Sequence, residues 1–217
     1  MKKLTAASLA LAGALLFALT GCSAGTFTEK SYTAEGAVTE IVIDVEDREV
    51  TVAASEDEFV HIDYFDGKKE YLDIALSDGR LTVKLVYDKE WTDYIGVKPA
   101  AEYRRIEVRI PDDTVVSFSA ATTNEDIKVS PLTFSESMRL DSNGGNIAFE
   151  RVSVGTSIDL KAKNGNITGT VSGGWDDFSI QCTVKKGDCN LPLDKDGGTK
   201  TLTADCNNGD IQIDFVL

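Results

Sequence analysis

One short phrase recurs through the second half of this 217-residue chain and sets a period. Alternating apolar residues run into a tight polar turn and resume beyond it. The turns are Thr123-Asn124-Glu125-Asp126-Ile127, Asn143-Gly144-Gly145-Asn146-Ile147, Lys163-Asn164-Gly165-Asn166-Ile167, Lys186-Gly187-Asp188-Cys189 and Asn208-Gly209-Asp210-Ile211. The residues that follow the turns, 127, 147, 167, 189 and 211, are separated by 20, 20, 22 and 22 positions. A period held that steadily marks stacked structural units, each too small to bury its own apolar face alone.

The register within each unit supports this. Seven, five and three positions before the last turn residue stand Phe118, Ala120, Thr122; Met138, Leu140, Ser142; Ile158, Leu160, Ala162; Ile180, Cys182, Val184; and Leu202, Ala204, Cys206. Two and four positions after it stand Ile127, Val129; Ile147, Phe149; Ile167, Gly169; Cys189, Leu191; and Ile211, Ile213. With side chains alternating along a strand, all of these share one face, and the residues between them are mostly polar. Two architectures satisfy the pattern. Two-residue Asn-Gly loops, with positive φ at both positions, would give an antiparallel meander of β-hairpins. Alternatively each period is one coil of a β-solenoid, and equivalent residues stack in columns. The columns of like residues, Ile127, Ile147, Ile167 and Ile211 on one side and small Thr122, Ser142 and Ala162 at the corner, favour the solenoid. The expectation is an all-β, single-domain β-solenoid, with the meander as the alternative. About five buried apolar side chains per coil, at roughly 1.5–3 kcal/mol each, stabilise such a stack without metal or cross-link.

Upstream, six short alternating runs extend the β pattern: Ile41, Ile43, Val45; Val50, Val52; Val60, Ile62, Tyr64; Leu72, Ile74, Leu76; Leu81, Val83, Leu85; and Ile106, Val108, Ile110. Residues 37–217 are therefore expected to form one domain, with 37–117 as N-terminal strands and 118–217 as regular repeats. Lys89 to Arg105 breaks the rhythm and reads as a longer loop containing Trp91, Tyr94 and Tyr103. Large aromatics mostly fold back onto a core. These three are also the candidate partner contacts, because loops on a rigid scaffold carry binding functions.

The N-terminus reads as an export signal. Lys2 and Lys3 precede an uncharged, Ala- and Leu-rich run from Leu4 to Leu19, and Leu19-Thr20-Gly21 leads into Cys22. That order resembles a bacterial lipobox, which makes residues 1–21 a lipoprotein signal peptide and Cys22 the acylated first residue of the mature chain. Ser23 to Gly36, short of large apolar residues, is expected to complete a flexible tether over 22–36. Without Lys2 and Lys3, 20 basic residues face 36 acidic ones, a formal charge of −16. That balance sets nucleic acid aside as a partner, since phosphate contact needs Lys and Arg.

Cys182, Cys189 and Cys206 fall on the inward face. Buried cysteine behaves as a small hydrophobe, and a two-residue offset keeps Cys182 and Cys206 apart on neighbouring coils, so free thiols are expected. Their spacings of 7 and 17 do not fit a zinc site.

The phrases Asn164-Gly165-Asn166-Ile167, Trp175-Asp176-Asp177-Phe178, Lys186-Gly187-Asp188-Cys189-Asn190-Leu191-Pro192 and Asn208-Gly209-Asp210-Ile211-Gln212-Ile213, with Trp91 to Gly96 before them, resemble the bacterial β-strand-repeat family labelled "putative adhesin", a domain of unknown function. The resemblance covers about residue 37 to the end. It implies a β-solenoid-like domain on exported or membrane-attached proteins and an adhesive role. It carries over no binding residue. Cys189, where the column otherwise has Ile, and Glu125-Asp126, a turn without Gly, depart from the pattern.

Catalysis finds little support in the residues. The single histidine, His61, lies between Val60 and Ile62 on an expected outer face. No H-E-x-x-H, G-x-S-x-G or phosphate loop is present, and the pairs Asp112-Asp113 and Asp176-Asp177 sit in turns, which Asp favours for local reasons. No catalytic residue, metal or cofactor is expected. The reading is a membrane-anchored, non-catalytic surface module, held through Cys22, with an unidentified protein or glycan partner. The alternative is an envelope-stress or signalling accessory that binds another envelope protein. A glycan-active enzyme is the third and least supported reading.

Overall fold

The computed structural model describes residues 26–88, 98–112 and 114–217. Among them are eighteen strands: β1 (Thr28–Thr33), β2 (Glu40–Asp44), β3 (Glu49–Ala54), β4 (His61–Asp66), β5 (Glu70–Ser77), β6 (Arg80–Tyr87), β7 (Arg105–Ile110), β8 (Ser117–Thr122), β9 (Ile127–Val129), β10 (Thr133–Phe134), β11 (Ser137–Ser142), β12 (Ile147–Val154), β13 (Ser157–Ala162), β14 (Ile167–Ser172), β15 (Phe178–Lys186), β16 (Asp194–Lys195), β17 (Lys200–Asn208) and β18 (Ile211–Val216). They form two sheets that face each other across one core. The first has the order β1-β4-β7-β3-β9-β12-β14-β18, with β10 beside β12. The second runs β16-β15-β17-β13-β11-β8-β2-β6-β5.

The repeats pair in parallel, as coils of a β-solenoid require and a meander of hairpins forbids. Met138 stands beside Phe118 and Ile158, and Leu140 beside Ala120 and Leu160. Ile147 stands between Ile127 and Ile167. Each side chain therefore packs on its own counterpart one coil away, and the inward columns are buried in the interior coils, with Val184 and Cys189 of the β15 coil half-buried. Size is matched within columns: a Cβ on Gly169 would stand 2.4 Å from the ring of Phe149, so glycine makes room for the larger neighbour. The N-terminal strands continue the same columns, Val50 beside Ile127 and Ile41 between Phe118 and Leu81, so both sheets cross Ser117 without a break. Among the described residues antiparallel pairs occur only near the two ends: β1 with β4, β4 with β7, β5 with β6, and β15 with β16.

Two features differ from the sequence reading. First, Thr28–Thr33, inside the expected tether of 22–36, is a strand. It pairs with β4 over six positions, and as an edge strand it needs only its half-buried face, so its sequence carries no apolar alternation. Second, the coils do not stack in chain order. β17 lies between β13 and β15, and β18 lies beside β14 with Cys189 bridging its far side. The final repeat is thus an interior coil, and the coil of β15 is the end. The coil of β15 contributes only the isolated Cys189 bridge to the first sheet, so it makes a poor template for another coil. β17 and β18 have full-length strands on both sides and satisfy their ladder groups best in the interior.

The corners explain the glycines. Gly145 and Gly165 are not among the residues with positive φ, so they do not serve a hairpin turn. A Cβ on Gly145 would lie 2.0 Å from the Glu125 carbonyl oxygen, and one on Gly165 would lie 2.1 Å from the Gly145 carbonyl oxygen. The requirement is close approach of one coil to the next. Beside this glycine column runs a polar ladder. The side-chain oxygen of Asp126 accepts from the backbone N–H of Asn146 (2.8 Å), Asn146 from Asn166 (2.9 Å), Asn166 from Asp210 (2.9 Å) and Asp210 from Asp188 (2.9 Å). The ladder follows the order of coils in space, not in sequence.

Candidate contact surfaces and the loop base

The described residues that flank positions 89–97 form a charged corner. Asp47, in the left-handed region at φ 51°, accepts from Lys98 Nζ at 2.8 Å and from Asn124 and Thr123. Partial burial pushes its carboxyl up, but the hydrogen bonds from Lys98 and Asn124 outweigh this and hold it below the ordinary value. Arg104 ties the other side, donating to the Pro99 carbonyl (2.9 Å) and pairing with Glu125. Beneath lies a buried ion pair that no sequence pattern signals. Arg48 and Glu70, 2% and 5% exposed, meet at 2.7 Å. The Tyr87 phenol is pushed well up by burial first, then by the charge of Glu46. A buried pair of this kind adds little net stability, but loss of one partner strands a charge.

Trp91 and Tyr94 lie outside the described residues, as does Cys22. Tyr103 ends a short 3-10 turn, Ala101–Tyr103. Its ring stacks on Phe27 (5.3 Å between centroids, 10° between planes) and meets Phe65 edge-on at 5.5 Å, while Arg105 lies over Phe65 at 5.5 Å. Phe65 faces outward beside Glu29. Tyr103 thus covers the outer side of the first sheet, not the core, and clamps the residue through which the chain enters β1. A Cβ on Gly67 would stand 2.9 Å from the Phe27 ring, so that ring is held on a second side.

At the opposite end the structure exposes an aromatic that spacing alone did not single out. Trp175 is 40% exposed, with Phe215 edge-on at 5.2 Å and Lys195 Nζ at 5.6 Å from the ring centre. Along the second sheet, Asp141, Lys161 and Asp205 form one outward row. With Asn143, Lys163 and Asn207 they line a shallow polar groove. Charged outer rows of mixed sign fit a contact face better than a closed pocket.

Of the titratable groups weighed in the sequence, His61, Asp112 and Asp177 are engaged locally, and Asp113 lies outside the described residues. His61 is outward, with Nε2 2.8 Å from Asp57 and Nδ1 3.0 Å from Thr33 Oγ1. The Asp57 carboxyl is drawn down by the Phe59 N–H and then by His61. Asp177 caps its own turn by accepting from Gly174 N–H at 2.8 Å, and Asp112 accepts from Thr133 N–H at 2.8 Å. Among the described residues no three His, Cys, Asp or Glu side chains converge to hold a metal. Cys182, Cys189 and Cys206 are unbridged in this structure.

Parallel coils, a glycine column and a polar corner ladder define a β-solenoid-like domain. Residues 38–173 match the model of the Toastrack DUF4097 family, and the chain belongs to that family, in line with the resemblance of its repeats. A "putative cell adhesion protein" of Clostridium sporogenes shares the fold: TM-score 0.60 at 10% identity, over 88% of this chain and all (100%) of that one. Two chains described as "putative adhesin" are also similar. That of Bacteroides fragilis has TM-score 0.39 and 11% identity, over 89% of this chain and 98% of its own. That of Parabacteroides distasonis has 0.32 and 12%, over 88% and 98%. No curated protein matches the sequence.

Proposed function

We propose that the chain is the binding part of a lipid-anchored surface protein of a bacterial envelope, acting by contact and not by catalysis. The observation that carries this reading is where the chain enters the fold. β1 is the outermost strand at one end of the first sheet, and Phe27 just before it is clamped by Tyr103. Cys22 precedes Phe27 by five residues, and at about 3.3–3.6 Å per residue the leash reaches at most about 18 Å. Acyl chains on Cys22, each buried methylene contributing about 0.8 kcal/mol, would hold that end near the bilayer. The far end, seven strand spacings along the sheet, can stand about 34 Å further out at about 4.8 Å per strand.

In this reading the partner is a protein or glycan. It meets the outward side chains of the flat sheets, Trp175 at the far end and the Trp91–Tyr94 loop. Cys22→Ala is expected to release the protein from the membrane fraction; a variant that stays membrane-bound and full length removes the anchor from the reading. Capture from crosslinked envelopes then identifies the role. Host or glycan ligands support adhesion, and one envelope protein supports the signalling accessory. Depolymerisation of an acidic polysaccharide without either would overturn both.

A further inference from the structure

In each interior coil two inward positions, seven residues apart, flank the corner on opposite sheets: Leu140 and Ile147, Leu160 and Ile167, Ala204 and Ile211. All six side chains are buried. In the end coil those two positions are Cys182, beside Ala204, and Cys189, bridged to Ile211. Burial first, and then the neighbouring Cys189 side chain, pushes the Cys182 thiol up. Cys206 points its thiol elsewhere, to the carbonyls of Gly165 (3.3 Å) and Gly209 (3.4 Å).

We propose that Cys182 and Cys189 are a disulfide-forming pair that staples the end coil of the solenoid. Cys182 and Cys206 lie on neighbouring coils, whereas Cys182 and Cys189 flank the corner within one coil. Interior coils are held from both sides, whereas the end coil has a neighbour on one side only, apart from the two-residue β16. A covalent link between its two halves supplies there what stacking supplies elsewhere. Drawing the sulfurs together to about 2.05 Å asks for movement only in the coil with least packed against it.

The chemistry is thiol–disulfide exchange with a disulfide oxidant, such as an exported oxidoreductase or oxidised glutathione. The Cys189 thiolate, on the more accessible residue, attacks the oxidant and releases one thiolate. The Cys182 thiolate then attacks the Cys189 sulfur and releases the second. Two electrons pass to the oxidant, and the two thiol protons end on its sulfurs. In the closed fold burial pushes the Cys182 thiol up to about 12, so exchange belongs to the folding stage, before this coil packs.

The proposal rests on export for its oxidising compartment, and its test is arranged to stand apart from localisation. In one arm the full chain, expressed with its own signal, is recovered, alkylated in denaturant and mapped by mass spectrometry. In the other, the reduced, unfolded chain is refolded in reduced and oxidised glutathione. The expected product is lighter by two hydrogens, links Cys182 to Cys189 and leaves Cys206 alkylated, with a midpoint several degrees higher that dithiothreitol reverses. Cys189→Ser should show the same midpoint with and without dithiothreitol. Three alkylated thiols in both arms, or any bond to Cys206, overturns the proposal. A linked pair in the refolding arm alone supports it even where export fails.

Discussion

Single residues in this fold are constrained by the coil next to them more than by their own turn. Gly165 is the clearest case, because its missing Cβ is the space in which the Gly145 carbonyl sits. Gly165→Ala must push two coils apart, and overpacking of this kind costs about 1–3 kcal/mol. Differential scanning calorimetry should show a midpoint several degrees lower; an unchanged midpoint would mean that the corners are looser than the geometry requires. Charge acts on the same scale. The carboxyl of Asp47 is held below its ordinary value in the folded chain, so its contribution is complete above that value and is lost as pH falls through the folded one, below about pH 4. Asp47→Asn should lower stability at neutral pH and flatten the acid limb of a urea-midpoint profile. At the alkaline end the sign reverses. Burial, then the charge of Asp66, pushes the Tyr64 phenol up to about 12, so stability is lost between the ordinary value near 10 and that pH. Tyr64→Phe should flatten that limb, and an unchanged alkaline profile would show that Tyr64 does not govern it.

Among elements, the corner ladder joins neighbouring coils by side-chain-to-backbone bonds that no apolar column supplies. Asn166 accepts from Asp210 N–H and donates its own N–H to Asn146, so Asn166→Ala leaves one N–H of the next coil without its acceptor. The bond is exposed and water can take the acceptor's place, so a cost of about 0.5–1.5 kcal/mol is expected. Hydrogen exchange should quicken at Asp210 and its strand neighbours first; equal change at every corner would argue against a ladder. Strand positions, parallel stacking and the inward columns were legible in the sequence because side-chain alternation and a fixed period leave few alternatives. β1 was not, because Thr28-Glu29-Lys30-Ser31-Tyr32-Thr33 lies at an edge with one half-buried face and shows no apolar run. The contact surfaces were the least legible part. Tyr103, expected to fold back onto the core or to meet a partner, is stacked on Phe27, a residue 76 positions away in sequence, and no local pattern encodes that meeting.

For the whole molecule the order of the coils is the property the sequence concealed, and it decides how the chain tolerates truncation. The inward residues Leu202, Ala204 and Cys206 would fit the columns equally well in an interior slot or at the end, so the period fixes spacing without fixing sequence in space. In the structure β17 pairs with β13 over six positions and with β15 over eight, and β18 pairs with β14 over six. Deleting residues 199–217 therefore removes an interior coil. β15 loses its parallel partner, the Cys189 bridge disappears, and the buried faces of β13 and β14 meet water. A stack in chain order would lose only its last coil and keep the rest intact, since each coil rests on its neighbours alone. The shortened chain is expected to lose much more than one coil's share of stability, with its denaturant transition broadened or shifted to low urea and Trp175 fluorescence already that of an exposed indole. A truncated protein that kept a sharp transition close to the urea midpoint of the full chain would place the final repeat at the end of the stack instead.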